Sequence, residues 1–260
     1  MESKIVLQTE NLSIGYQQQR KVNRIASGID LTLRKGKLIA IVGANGIGKS
    51  TLLRTMTGIQ KPLEGQILLN QQHLQEFDSL TLAKEMSLVL TEKLPPSNLT
   101  VYELIALGRQ PYTNWIGTLS VDDKAKIEEA IALTQTQALI DKKHYEISDG
   151  QLQIVMIARA LAQDTPLIVL DEPTTHLDLQ HKVSLFKLLK KLTQETQKCI
   201  LFSTHDIDMA IQLSDEMIVM TEGKCVQDSP CNLISKGTFD LLFEDKNITF
   251  DAEKGKFIIT

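Results

Sequence analysis

The stretch Gly43-Ala44-Asn45-Gly46-Ile47-Gly48-Lys49-Ser50-Thr51 decides the fold of this chain. Its pattern, G-x-x-x-x-G-K-[ST], places backbone N–H groups around a phosphate, with Lys49 reaching the terminal phosphates and Ser50 ligating Mg²⁺. Residues 38–42 form an apolar, β-branched run that predicts a buried parallel strand, and residues 52–56 predict a helix. A glycine-rich turn with a solvated lysine is the alternative. The strand–loop–helix context favours a nucleotide site, because a helix N-terminus also attracts phosphate.

The bulk composition is that of an ordinary globular protein. Hydrophobic residues make up 42% and charged residues 23% of the 260 positions. The formal net charge of −4 gives no electrostatic footprint for nucleic acid. Three scattered cysteines, Cys199, Cys225 and Cys231, predict no disulfide framework and a reducing cytoplasm. No run approaches the roughly 20 apolar residues of a membrane span, so we expect any membrane role to come through a partner.

The residues that flank the phosphate loop predict a small antiparallel sheet beside a parallel, nucleotide-binding core. Polar residues 17–24 are interpreted as a hairpin loop. The predicted strands are short runs of alternating or apolar residues at 4–9, 11–16, 29–33 and 65–70.

Tyr16 lies at the end of one of these predicted strands. An exposed tyrosine there could stack on an adenine ring, or it could be an ordinary strand aromatic. The spacing of the residues alone does not separate these interpretations.

The middle of the chain predicts helices only. Residues 86–90 form a core strand, and two helical patterns follow, at 99–108 after a Thr cap and from Ser120 to residue 131. We interpret the section from about residue 93 to residue 162 as a helical subdomain inserted into an α/β core.

Residues 147–151, Ile-Ser-Asp-Gly-Gln, precede a helix predicted at residues 152–160. A serine at this place is an ordinary helix N-cap. The same helix N-terminus is also a second anion site. Taken alone, the residues favour the cap.

Two apolar strands end in side chains with catalytic chemistry. Residues 167–172 end in Asp171 and Glu172, and charges at the end of a buried strand are costly unless they are used. Next to a phosphate loop, Asp171 would hold Mg²⁺ and Glu172 would polarise the attacking water. His205 ends the strand predicted at 200–205. A lone histidine is more often structural than catalytic, but this one is predicted at the edge where doubly wound sheets bind ligands.

Together these elements resemble the ATPase subunit of an ABC transporter, over residues 7 to about 226. The phosphate loop resembles the Walker A motif, residues 147–151 the LSGGQ signature, and residues 167–172 the Walker B motif. His176-Leu177-Asp178 is similar to the D-loop and His205 to the switch histidine. Tyr16 falls where the family places its adenine-stacking aromatic.

The resemblance implies an α/β fold: a P-loop NTPase core with a parallel sheet, an N-terminal antiparallel β subdomain and the inserted helical subdomain. Residues 1–226 would form the ATPase domain and residues 227–260 a short C-terminal extension. It also implies two copies that bind ATP and Mg²⁺ head to tail. Catalysis would fall to Glu172 and His205. The implied ATP-binding residues are Tyr16, Gly43, Ala44, Asn45, Gly46, Ile47, Gly48, Lys49, Ser50 and Thr51. The other implied site residues are Ser50, Asp171 and Thr91 for Mg²⁺, Asp178 in the D-loop, and Ser148, Asp149, Gly150 and Gln151 acting in trans.

Two positions depart from the family pattern. Asp149 stands where the signature usually has its first glycine, which would place a carboxylate near the other subunit's γ-phosphate. Thr91-Glu92 stands where the family has its Q-loop glutamine. We interpret Thr91 as the positional equivalent, with Glu92 as an alternative oxygen donor.

Residues 99–112 are similar to the segment after the Q-loop in importers of ferric siderophores, haem and cobalamin. The resemblance therefore implies an integral-membrane permease as partner, a substrate-binding protein as an indirect partner, and a place on the cytoplasmic face of the membrane. The alternative is a soluble ABC ATPase that is not coupled to transport. Such proteins usually carry two cassettes or a long coiled coil, which this sequence lacks.

Overall fold

The computed structural model describes residues 4–18, 21–90, 94, 97–175, 177–242, 248–252 and 254–259. The strands are β1 (Ile5–Gln18), β2 (Lys21–Arg34), β3 (Leu38–Gly43), β4 (Glu64–Leu69), β5 (Gln72–His73), β6 (Met86–Val89), β7 (Leu167–Leu170), β8 (Cys199–Ser203), β9 (Glu216–Thr221), β10 (Lys224–Asp228), β11 (Ile248–Asp251) and β12 (Lys256–Ile259). The α-helices are α1 (Lys49–Met56), α2 (Ser79–Glu85), α3 (Val101–Ala106), α4 (Val121–Thr134), α5 (Asp149–Ala162), α6 (Leu179–Thr196), α7 (Ile207–Leu213) and α8 (Pro230–Ser235). Short 3₁₀ helices span Leu74–Glu76, Leu107–Tyr112, Gln137–Leu139, His144–Glu146 and Thr238–Leu241.

The central sheet has the order β10-β9-β3-β8-β7-β6. Its strands from β9 to β6 are parallel, and only β10 is antiparallel to its neighbour. Every residue of β3 is buried, as its continuous apolar run predicts. The carboxyl ends of β3, β7 and β8 meet at one edge, where open α/β sheets bind ligands.

The second sheet is antiparallel, with the order β2-β1-β4-β5. The prediction of separate strands at 4–9 and 11–16 is wrong, because β1 runs on through a bulge at Asn11. Asn11 has φ 46°, and its N–H donates to Asp30 Oδ1 at 2.6 Å. The loop predicted at 17–24 is also wrong in extent, because Gln17 pairs with Val22 in the β1–β2 ladder.

Helices α3, α4 and α5 form the middle of the chain and begin with the predicted kind of cap. Each has a capping box in which the N-cap hydroxyl and a side chain three residues later satisfy each other's backbone N–H groups; the pairs are Thr100 with Glu103, Ser120 with Asp123, and Ser148 with Gln151. A buried ion pair, Arg109 Nε to Asp123 Oδ1 at 2.8 Å, joins the start of α4 to the 3₁₀ helix before it.

The C-terminal part of the chain packs against the core. Phe239 stacks on Phe250 with ring centroids 4.8 Å apart, and Phe257 meets Phe250 edge-on at 5.0 Å. These rings join the large core cluster, and β12 contacts α7. Strand β10 spans the predicted boundary at residue 226. The division into an ATPase domain and a short C-terminal extension stays a prediction.

Candidate active site

The loop from β3 to α1 can be built only with glycine at two places. Gly48, the N-cap of α1, has φ 111°, and a Cβ there would lie 2.5 Å from Ile25 Cγ2. A Cβ on Gly43 would lie 2.6 Å from the Met220 carbonyl oxygen. Real Cβ atoms almost never come this close to another heavy atom, so a larger residue at either place would force its neighbours to move. The backbone therefore approaches closely enough to expose the first N–H groups of α1, which have no acceptor within their own helix.

Lys49 lies inside this loop with its side chain buried. Its Nζ donates to the carbonyl oxygens of Gly43 at 2.9 Å and Ala44 at 3.2 Å. Burial lowers the pKa of the Lys49 ammonium below its usual value, and the nearby carboxylates of Glu172 and Asp171 oppose that shift. The ammonium is therefore held at the loop, next to two carboxylates.

Ser50 and Asp171 come together across the sheet edge. Ser50 Oγ donates to Asp171 Oδ1 at 3.3 Å, and Asp171 is only 6% exposed. A hydroxyl and a carboxylate are oxygen ligands of the kind that Mg²⁺ takes when it also binds phosphates. The donors therefore fit the predicted magnesium site. Thr91, the third predicted ligand, and its alternative Glu92 lie outside the described residues.

Glu172 and His205 are in direct contact. His205 Nε2 lies 2.6 Å from Glu172 Oε1, and both side chains border the phosphate loop. Glu172 has φ 47°, in the left-handed region that a long side chain rarely adopts. Such a conformation persists only where the surroundings hold it, and it is typical of functional sites.

A cavity of about 400 Å³ lies at the phosphate loop and is bordered by Lys49, Glu172 and His205. Tyr16 borders it, 44% exposed, and its hydroxyl lies 2.9 Å from Thr51 Oγ1. The residues lining the cavity are Tyr16, Ile25, Asn45, Gly46, Gly48, Lys49, Ser50, Thr51, Glu172 and His205.

Sequence reasoning missed Ile25 in this lining. It directly follows the stretch that we interpreted as a loop, and no pattern marked it.

The four predicted signature residues lie away from this cavity. Ser148 and Gln151 are tied together at the start of α5, where Ser148 Oγ accepts from Gln151 N at 3.3 Å and Gln151 Oε1 accepts from Ser148 N at 3.0 Å. Ser148, Asp149 and Gln151 are exposed and Gly150 is half-buried. Both interpretations of this stretch stay compatible, since a capped helix N-terminus still presents N–H groups to an anion.

Asp178 lies beside the signature. Asp178 is the N-cap of α6: its Oδ1 accepts from the backbone N–H of His181 at 2.9 Å and also lies 2.7 Å from His181 Nδ1. A Cβ on Gly150 would lie 3.3 Å from Leu177 Cδ2 and 3.6 Å from His181 Cδ2. The predicted D-loop and signature therefore share one exposed surface. His176 lies outside the described residues.

Known proteins similar to this chain include ATP-binding proteins of ABC transporters. An uncharacterised ABC transporter ATP-binding protein of Methanocaldococcus jannaschii is 38% identical over 97% of this chain and 86% of its own length. The iron(3+)-hydroxamate import ATP-binding protein of Bacillus subtilis is 36% identical over 85% of this chain and 81% of its own length.

Solved structures show the same fold. An ABC transporter assigned to the metal-chelate type, in an inward-facing conformation, superposes with a TM-score of 0.79 at 25% identity, over 98% of this chain and 96% of the other. An ATP-binding cassette solved as a post-hydrolysis dimer with ADP and Pi superposes with a TM-score of 0.73 at 27% identity, over 86% and 98%. The family model described as ABC transporter matches residues 26–175. The chain therefore belongs to the ABC transporter family, as an ATP-hydrolysing, ATP-binding cassette with the α/β fold that its motifs predict.

Proposed function

We propose that this ATPase energises an importer of metal chelates, such as ferric siderophore, haem or cobalamin. The observation that carries the proposal is the similarity over most of the chain to the iron(3+)-hydroxamate import protein. A metal-chelate type transporter among the structural neighbours supports the same class. Co-purification with a polytopic permease, and chelate uptake by the assembled complex, test it. A cassette that works as a soluble ATPase would purify without such a partner.

The residues of the cavity, together with Asp171 beside Ser50, support a division of labour in hydrolysis. The phosphate loop and Lys49 would bind the phosphates, and Tyr16 would stack on adenine. Ser50 and Asp171 would hold Mg²⁺, which neutralises charge on the phosphates when bound. Glu172 accepts a proton from the attacking water, and His205, in contact with Glu172, orients that water toward the γ-phosphate.

A second copy of the chain would complete the site. The exposed helix N-terminus at Ser148, Asp149, Gly150 and Gln151 can approach the γ-phosphate bound by the partner copy, with Asp178 beside it. The relative solved as a dimer with ADP and Pi supports this assembly. Nucleotide then completes the interface, so that ATP favours the closed dimer and hydrolysis reopens it.

Asp149 should weaken ATP-driven dimerisation. Its carboxylate would face a phosphate of like charge, so Asp149→Gly in a hydrolysis-deficient background should tighten the ATP dimer by about tenfold. Size-exclusion chromatography over a range of protein concentrations measures this. Asp149→Asn is the matched control, because it removes the charge and keeps a side chain. If neither variant dimerises more tightly than the chain that keeps Asp149 in the same background, Asp149 does not face the phosphate.

The surface proposed for the permease lies in the helical subdomain. Among the apolar side chains of this segment, Val101, Leu104 and Ile105 are buried, so they serve the core and not a partner. Trp115 is 94% exposed and Ile116 68%. Their turn is ordered by the Asn114 side chain, whose Oδ1 accepts from the N–H groups of Ile116 at 3.1 Å and Thr118 at 3.0 Å.

An ordered turn with two exposed apolar side chains suits a partner surface. A short amphipathic cytoplasmic helix of the permease would bury both side chains. That contact would place the chain at the cytoplasmic face of the membrane and link it, through the permease, to a substrate-binding protein. Within the part of the chain that the structure describes, no helix combines the length and apolarity needed to cross a bilayer.

Charged substitutions at this turn should abolish co-purification with the permease. Trp115→Glu and Ile116→Glu should lose the membrane partner while the isolated subunit keeps its ATPase rate within about twofold, because the phosphate loop is untouched. Tyr112 is a poorer test, since its ring stacks on Arg109 at 3.8 Å and its loss would disturb the buried ion pair. Leu241→Glu, at an exposed apolar residue of the C-terminal part, is the control. Normal uptake by Trp115→Glu and by Ile116→Glu would place the coupling surface elsewhere.

A further inference from the structure

Ser203 is a buried hydroxyl at the carboxyl end of β8. The parallel register pairs Leu170 of β7 with Phe202 of β8, which places Asp171 and Glu172 beside Ser203. The residue is fully buried, at 0% exposure, in a strand that is otherwise apolar. Burying a hydroxyl costs free energy unless the hydroxyl is hydrogen-bonded. The hydrogen-bond partners of Ser203 therefore indicate what the hydroxyl does.

Both hydrogen bonds of the Ser203 hydroxyl go to the two residues with proposed roles in hydrolysis. Ser203 Oγ donates to Asp171 Oδ1 at 2.7 Å and accepts from the backbone N–H of Glu172 at 2.8 Å. The oxygen of Asp171 that it contacts is the one to which Ser50 Oγ donates. One hydroxyl therefore connects the proposed magnesium ligand to the backbone of the proposed base.

The bond to the Glu172 N–H matters because the backbone there is strained. A residue other than glycine at φ 47° is strained and needs its surroundings to hold it in that conformation. The backbone N–H of Asp171 is fixed from the other side, by the Val89 carbonyl of β6 at 2.9 Å. Ser203 supplies the matching restraint from β8, so the pair is held between two neighbouring strands.

We propose that Ser203 is a positioning residue, which holds the Asp171 carboxylate and the strained Glu172 backbone in register for hydrolysis. It acts through these two residues and does not touch the nucleotide. This inference rests on the roles proposed above for Asp171 and Glu172, and it adds a residue that no motif marked. A hydroxyl shared between both residues makes their positions depend on each other.

The test compares Ser203→Ala with Ser203→Thr, which keeps the hydroxyl. In Ser203→Ala, kcat for ATP should fall by about tenfold or more, the loss expected for a buried hydrogen bond to a charged group. The dissociation constant for a non-hydrolysable ATP analogue, measured by calorimetry, should stay within about twofold. Ser203→Thr should recover most of kcat. Thermal unfolding of both variants shows whether each is folded, and Ser203→Cys provides a variant of nearly native size if the threonine methyl destabilises the strand.

Ser87→Ala is the matched control, since Ser87 is another buried strand hydroxyl of the same sheet and accepts a bond from Thr165 Oγ1 at 3.1 Å. Its kcat should equal that of the unmodified chain. Folded Ser203→Ala with an unchanged kcat would overturn the proposal, and so would equal losses in Ser203→Ala and Ser87→Ala. Glu172→Gln distinguishes a failure of the Ser203 proposal from a failure of the proposed role of Glu172 in hydrolysis. If that variant still turns over normally, the proposed role of Glu172 fails, whatever Ser203 does.

Discussion

Glu172→Gln should bind ATP normally and hydrolyse it 10²–10⁴ times more slowly, the loss expected when a general base is removed. That range corresponds to about 3–5 kcal/mol of transition-state stabilisation. The amide oxygen of glutamine can still accept a hydrogen bond from His205, now 2.6 Å from Glu172 Oε1, so the cavity should keep its shape. In the presence of ATP a stable dimer of the variant should then accumulate, visible by gel filtration, because the hydrolysis step that reopens the dimer is blocked.

Glu129→Gln is a suitable control for this variant. Glu129 lies on the surface of α4, 3.2 Å from Lys126, and its substitution should leave turnover unchanged. Near-normal turnover in Glu172→Gln would remove Glu172 from the mechanism and leave His205 as the candidate. A folded variant that no longer binds ATP would instead show that Glu172 shapes the binding site.

The parts of the site formed by contiguous residues were predictable from the sequence. The run from β3 through the phosphate loop to α1 is continuous, and its glycines are demanded by backbone approaches such as that of Gly48 to Ile25. The acids at the end of β7 were predictable for the same reason, because charges beside a buried strand are costly. The contact between Glu172 and His205 follows from the meeting of two strand ends at one sheet edge.

The rest depends on registers and bulges that no local pattern encodes. β1 continues through Asn11 because Asp30 on the neighbouring strand satisfies its N–H, so a residue typical of a break lies inside a ladder. Ser203 contacts Asp171 and Glu172 only because β7 and β8 pair with Leu170 opposite Phe202. One signal could have found it: a serine in an apolar strand, two residues before His205.

Lys49→Ala should weaken the affinity for ATP by about 100-fold. The ammonium is buried beside the loop, and each charged hydrogen bond to a phosphate contributes about 1.5–3 kcal/mol. The same ammonium also offsets the negative charge of the nearby carboxylates of Glu172 and Asp171, so its removal makes the site more negative toward the phosphates. Titration with a fluorescent ATP analogue measures the affinity directly.

The controls for Lys49→Ala separate binding from folding. The substitution leaves the carbonyl oxygens of Gly43 and Ala44 without their present donor, so we expect a modest drop in thermal stability in the absence of nucleotide. Lys61→Ala removes an exposed lysine outside the cavity and should change neither property. ATP should raise the melting temperature of the unmodified chain and of Lys61→Ala, but not that of Lys49→Ala. A clear ATP-dependent rise in Lys49→Ala would show that the backbone N–H groups of the loop bind the phosphates without the lysine.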